Sequence, residues 1–130
     1  MERTIVNPWA WSIAFGFDQA HLLENPSRVL VCSGQTSLDA DGAVQHAGDM
    51  TAQVLLAYDN LGAVLAEAGM TFDDVVRITA YTTDVDAFLG AIPAAQAHLG
   101  TEGRTAFTLI GVSRLAYPEL MVELEAIAAA

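Results

Sequence analysis

Lysine is absent from this 130-residue chain, and cysteine occurs once. The basic residues are five arginines, at positions 3, 28, 77, 104 and 114, against 16 acidic residues, for a net charge of −11. That balance repels a polyanion unless the arginines converge, and their scatter gives no cluster. No nucleic-acid partner is expected. The lone Cys32 excludes an internal disulfide, and its place in the apolar run Val29-Leu30-Val31-Cys32 reads as buried packing rather than as a nucleophile. No stretch approaches the roughly 20 apolar residues of a bilayer span, because Asp, Glu, Gln and His interrupt each candidate. No membrane partner is expected either. Met1-Glu2-Arg3-Thr4 has neither the basic run nor the apolar segment of a secretion signal, so the expected location is cytoplasmic.

Other chemistries lack their residues. His21, His46 and His98 are isolated, without metal-ligand spacing, and each is expected at the surface or at a cap. Asp39 and Asp41 lack the remaining ligands of a calcium loop and read as turn residues in Asp39-Ala40-Asp41-Gly42. There is no glycine-rich phosphate loop. Ser33 has no His/Asp arrangement around it to form a hydrolase triad. No metal and no cofactor is expected.

Apolar residues, by contrast, are plentiful. They make up 53% of the chain, against 16% charged. One domain over residues 1–130 fits that length, and the apolar excess points to a subunit interface, which resembles a core cut in half. Trp9 and Trp11 are expected at that interface or at the rim of a pocket. Residues 3–7 and 12–22 are rich in β-branched and aromatic residues without helical spacing, which predicts two short strands. Val29–Ser33 predicts a buried strand. Asp49 is a good N-cap, Val54, Tyr58, Leu61, Leu65 and Ala68 recur at helical intervals, and Gly69 sits where a helix ends. Strands are predicted over 75–83, 105–113 and 120–128. A second helix spans about 86–99, with Pro93 either kinking it or opening its main part. The order predicts an α+β fold with a β-sheet and two helices packed on one face.

Several short motifs fall in a specific order. They are Ser33-Gly34-Gln35, Leu65-Ala66-Glu67-Ala68-Gly69, Asp73-Asp74-Val75-Val76, Thr82-Thr83-Asp84-Val85, Thr105 to Leu115, and Val122-Glu123-Leu124-Glu125-Ala126. Together they closely resemble the RidA/YjgF family of imine and enamine deaminases, along nearly the whole chain. The resemblance implies a chorismate-mutase-like fold with a mixed sheet, assembled as a homotrimeric barrel with pockets between subunits. It also implies roles for particular residues. Glu123 corresponds to the glutamate that positions the attacking water, and Gly34, after Ser33, to the position whose carbonyl faces the ligand. Phe17 falls where relatives have a pocket tyrosine, and Ile92 where some have an asparagine. Phe107, in Thr105-Ala106-Phe107-Thr108, replaces the arginine that clamps a substrate carboxylate.

An aromatic ring cannot make the bidentate hydrogen bonds of a guanidinium. The expected substrate is therefore a small carbonyl, imine or enamine compound rather than a 2-imino acid, with Glu123 catalytic. Phe17, Ser33, Gly34, Ile92 and Phe107 are expected to bind substrate, and Arg104, three positions before Phe107, is a candidate to compensate for the lost arginine. A solvated surface position is the alternative for Arg104, core packing the alternative for Phe107, and a solvent-facing position the alternative for Glu123. Apolar neighbours such as Phe107 and Ile92 should raise the proton affinity of Glu123. Arg114 reads as an ion-pair residue. The alternative function is a non-catalytic small-molecule-binding or regulatory trimer.

Overall fold

The computed structural model describes residues 1–100 and 103–130. A four-stranded mixed sheet forms its centre, in the order β3 (Val29–Val31), β6 (Val122–Ala129), β4 (Val75–Thr82), β5 (Ala106–Gly111). Strand β6 is antiparallel to both β3 and β4, and β5 runs parallel to β4. Two long helices, α2 (Met50–Glu67) and α3 (Val85–Leu99), cover one face of the sheet.

The strands alternate as a half-buried sheet requires. Val122, Leu124, Ala126 and Ala128 of β6, with Ile78 and Ala80 of β4, enter the core alongside Val54, Ala57, Leu61 and Leu65 of α2 and Phe88, Ala91 and Ala95 of α3. Glu123, Glu125 and Ile127 point to the other face, with Arg77, Thr79 and Tyr81 beside them on β4. Among the described residues, no helix covers that face. Val29 and Val31, 57% and 74% exposed, lie there too.

Helix α2 begins where Asp49 accepts a hydrogen bond from the Ala52 amide at 3.0 Å, and Gly69 follows its end with φ +68°. Asp84 caps α3 in the same way through the Ala87 amide. The chain stays helical on both sides of Pro93 until Gly100 turns left-handed at φ +60°. Between Leu38 and Val44 the predicted tight turn forms, with Gly42 at φ +80°, and Asp39 Oδ1 accepts from the amides of Asp41 and Ala43.

The N-terminal region departs from the strand expected over 12–22. Trp11–Ala14 is one helical turn, α1, followed by a bend at Gly16 with φ +83°. Only Ala20–Glu24 (β2) is strand, paired antiparallel with β1 (Glu2–Val6) in a separate two-stranded sheet. The physical reason is that residues 12–18 form a strap over α3 and β5 that meets the sheet in a single bridge, Asp18 with Ala106: Ser12 and Asp18 are buried, and the Asp18 amide bonds to the Thr105 carbonyl at 3.0 Å. A one-turn helix also carries too few residues for a helical period to show.

Gln53, fully buried on α2, ties the core to the loop before β6. Its side-chain nitrogen donates to the carbonyls of His46 and Glu119 at 3.1 and 2.9 Å, and its oxygen accepts from the Met121 amide at 2.8 Å. Gln53→Leu leaves these three backbone groups without that partner. It should destabilise the fold by about 3 kcal/mol in urea denaturation, at unchanged m-value; a loss below about 1 kcal/mol would show that water or loop movement replaces the bonds.

Candidate functional site

Strand β6 positions Glu123, and the segment after β3 makes room for it. The segment leaves the ladder after Val31–Ile127 and rejoins it at Gln35–Leu124, where two backbone hydrogen bonds of 2.7 and 2.9 Å close the pairing. Four steps on one strand match three on the other, which is a one-residue bulge. The bulge carries Gly34 up against the Glu123 side chain, and a β-carbon at position 34 would run into its Oε1, Cδ and Cγ. Glycine is needed here for close approach. Ser33, beside it, is exposed.

The surroundings of Glu123 favour its protonated form. Burial is the main cause, and the charge of Glu125 on the same strand adds to it. The direction matches the expectation, and within one protomer it arises without Phe107 and Ile92 as neighbours. Phe107 pairs in register with Ile78, which points into the core, and its ring stacks on Phe88 at 6.4 Å between centroids. Within one protomer the sheet therefore separates Phe107 from Glu123.

On the helix side, Phe17, Ile92 and Phe107 line a cavity of about 470 Å³. Its floor is Val54, Tyr58, Ile78 and Phe88, and the strap roofs it with Ile13, Phe15 and Phe17. Trp11 packs edge-on against both Phe15 and Phe17 at 6.3 and 5.8 Å, yet stays 55% exposed, and Trp9 is 61% exposed. Arg104 and Gln96 are among the polar side chains of the lining. The predicted site residues thus fall into two groups on opposite faces: Ser33, Gly34 and Glu123 on the open face, and Phe17, Ile92, Arg104 and Phe107 around the cavity.

Arg104 is half-buried and paired rather than free in solvent. Its Nε donates to Asp18 Oδ1 at 3.1 Å, and Asp18 is 1% exposed. Asp18 also accepts from Asn7 at 2.8 Å and pairs with His21 Nε2 at 3.0 Å. His21, expected at the surface, has a side chain only 2% exposed. Sequence reasoning missed this knot because its members span 97 positions' worth of chain from Asn7 to Arg104 and share no motif. Burial alone would push the Asp18 carboxyl up; the bonds from Asn7, His21 and Arg104 and the guanidinium charge outweigh it and hold the carboxyl below its ordinary value. Of the other histidines, His46 is exposed with φ +59°, and His98 bonds to Asp59 at 2.6 Å across α2 and α3. Arg114 is exposed, and among the described residues no carboxylate pairs with it. Cys32 is buried, and burial pushes its thiol up, as suits a packing residue.

The protein family described as Endoribonuclease L-PSP matches residues 17–130. The RutC family protein YjgH of Escherichia coli (strain K12) is 37% identical over 84 residues, which is 65% of this chain and 63% of that protein. The chain thus spans a little under two thirds of that relative. A RutC family protein of Pyrococcus abyssi is 32% identical over 74% of each chain. The crystal structure of YyfB, a Rid family protein of unknown function from Yersinia pestis, superposes with a TM-score of 0.88 at 33% identity and covers 100% of both chains.

The chain belongs to the RidA/YjgF family. The fold expected from the resemblance, a mixed sheet with its helices on one face, is the fold found. In this Rid family chain the Glu123 side chain of the terminal strand lies against Gly34, and Phe107 lies in a largely apolar wall.

Gly34→Ala displaces the flexible end of Glu123 rather than any backbone. Its melting temperature should therefore stay within a few degrees of wild type while any Glu123-dependent activity falls by about 100-fold, the scale of a 1 Å misplacement; retained activity would show that the close approach is irrelevant. Asp18→Asn should cost about 2 kcal/mol near pH 7, because it uncouples Arg104. The stabilisation from a depressed carboxyl is present above its unfolded value, near 3.9, and is lost as pH falls through the lower folded value. The gap between wild type and Asp18→Asn in denaturant midpoints should accordingly close in acid, and a gap independent of pH would contradict it.

Proposed function

We propose that this Rid family protein is a homotrimer that hydrolyses a small uncharged imine or enamine without a cofactor, at pockets shared between neighbouring subunits. The cavity of one protomer, walled by Phe17, Ile92 and Phe107, would hold the ligand, and Glu123 of the neighbour would carry the proton. The exposed apolar residues on two separate surfaces support such an assembly: Val29 and Val31 on the open sheet face, and Trp9, Trp11 and Phe15 on the strap. A strap of aromatics against an open sheet face buries both.

The observation that carries this reading is the Glu123 carboxyl group seated against Gly34, with its proton affinity raised by burial. Such a carboxylate can take a proton from water as the water oxygen bonds to the C=N carbon. The same carboxyl returns that proton to nitrogen, giving a carbinolamine. It then moves the carbinolamine hydroxyl proton to nitrogen in the same way; the C–N electron pair leaves with nitrogen as the C=O bond forms, and an amine and a carbonyl compound separate. The wall from Phe17 to Phe107 offers an entering carboxylate no donor to replace its hydration, and the Arg3 guanidinium of the lining donates to the Asp73 carbonyl. Arg104 does not restore that function in this reading, because its charge already compensates the buried Asp18. The net charge of −11 argues against an RNA substrate, whatever the family description says.

Hydrolysis of uncharged imines and enamines and of 2-iminopropionate, generated in situ, separates the readings. Wild type should accelerate release of amine from an uncharged imine, Glu123→Gln should lose at least about 100-fold of that rate, and 2-iminopropionate should be hydrolysed no faster than without protein. Rapid 2-iminopropionate hydrolysis would overturn the account of Phe107. Ligand-dependent thermal stabilisation without turnover would instead favour a binding trimer.

A further inference from the structure

The open face of the sheet holds more proton-exchanging groups than Glu123. Glu123 and Glu125 stand two residues apart on β6 and project from the same face. Strand β4 sets Tyr81 opposite Glu123 and Thr79 opposite Glu125. The Tyr81 hydroxyl reaches across diagonally and donates to Glu125 Oε1 at 2.6 Å, the short distance of a hydrogen bond to an ionised acceptor. Arg77, further along the same face of β4, donates to Thr108 Oγ1 of β5 at 3.0 Å. The 33–35 segment on the other side brings Ser33, Gly34 and Gln35, none of them ionisable, and Cys32 is turned into the core. Strand β5 contributes Thr108 and Ile110. Among the described residues of the protomer, the titratable and charged groups facing the two carboxylates are therefore Tyr81 and Arg77, both from β4.

The two glutamates are unlike. Glu125 has a phenol donor; among the described residues Glu123 has none, and it is held against the Gly34 backbone instead. Two carboxylates this close do not ionise at equal cost, and the one with a donor keeps its charge. We propose that Tyr81 and Glu125 are positioning residues for Glu123: the phenol fixes Glu125 as the standing anion of the pair, so that Glu123 is the member that takes up and returns the proton. This rests on the reading of Glu123 as the acid–base group and adds the origin of its proton affinity. The electrostatic directions agree. Glu123 is pushed up by burial and then by Glu125, and the Tyr81 hydroxyl is pushed up first of all by its bond to Glu125.

The chain has seven glutamates, few enough for their carboxyl carbons to be followed separately by NMR with ¹³C-labelled glutamate during a pH titration. In wild type, Glu123 should titrate above the ordinary range of a glutamate. Glu125→Gln should move the Glu123 midpoint down, and Tyr81→Phe, which keeps the ring, should move it down by less. The proposal is overturned if the Glu123 midpoint stays in place in Glu125→Gln. Should Glu125→Gln fail to fold, Tyr81→Phe decides alone, and an unchanged Glu123 midpoint overturns it. Loss of turnover in Glu123→Gln with unmoved midpoints would sink this proposal and leave the hydrolytic reading standing. The converse pattern, moved midpoints with full activity in Glu123→Gln, would sink the hydrolytic reading and leave the coupling of the pair.

Discussion

The Glu123 side chain occupies the space that a β-carbon at position 34 would need. Much of the site follows from that contact. It needs a glycine, a one-residue bulge to carry the glycine inward, and a central strand whose pairing on both sides fixes the direction of Glu123. Strand β6 meets these conditions because its alternate residues, Val122, Leu124, Ala126 and Ala128, are anchored in the core. A slip of one residue would turn Glu123 inward and Leu124 outward. Core packing and site geometry are thus set by the same register.

Two regions of the molecule then stand in tension. The helix side of the sheet holds a cavity of about 470 Å³ with a largely apolar wall, to which Arg3, Asp73 and Arg104 add charged groups, while the open side holds Glu123 without a wall. A close-packed interior seldom leaves so large a space. An assembly that sets one protomer's open face against another's strap would complete both, which is why the proposed site is shared between subunits. The buried knot of Asn7, Asp18, His21 and Arg104 belongs to this picture as the clamp on the strap. It joins the β1–β2 region to the start of β5, and thereby fixes the roof that carries Phe17.

Much of the fold was legible because its signals were local. Asp49, the stripe from Val54 to Leu65, and Gly69 mark α2, and the β-branched run from Val75 marks β4. The strap was not legible, since its aromatic and β-branched content imitates a strand while its single helical turn shows no period. Gln53 carries no local signal that sets it apart from other polar residues of a helix, and its bond to the loop before β6, 66 residues away, makes it a buried cross-link. The side of the sheet on which each site residue stands was also hidden. Phe107 and Glu123 lie on strands that never pair with each other, and their relative facing is set through β4, whose register no local pattern reveals.

The central claim is that one working site needs Glu123 from one subunit and the aromatic wall from another. Mixing two separately inactive variants tests it most directly: Glu123→Gln, with its wall intact, and Phe17→Asp, with its glutamate intact, unfolded and refolded together and assayed on an uncharged imine. If the site is shared, the refolded mixture regains a substantial fraction of wild-type turnover, because mixed assemblies contain pockets with both parts unaltered. Turnover in the mixture no greater than the sum of the two variants refolded apart would contradict a shared site.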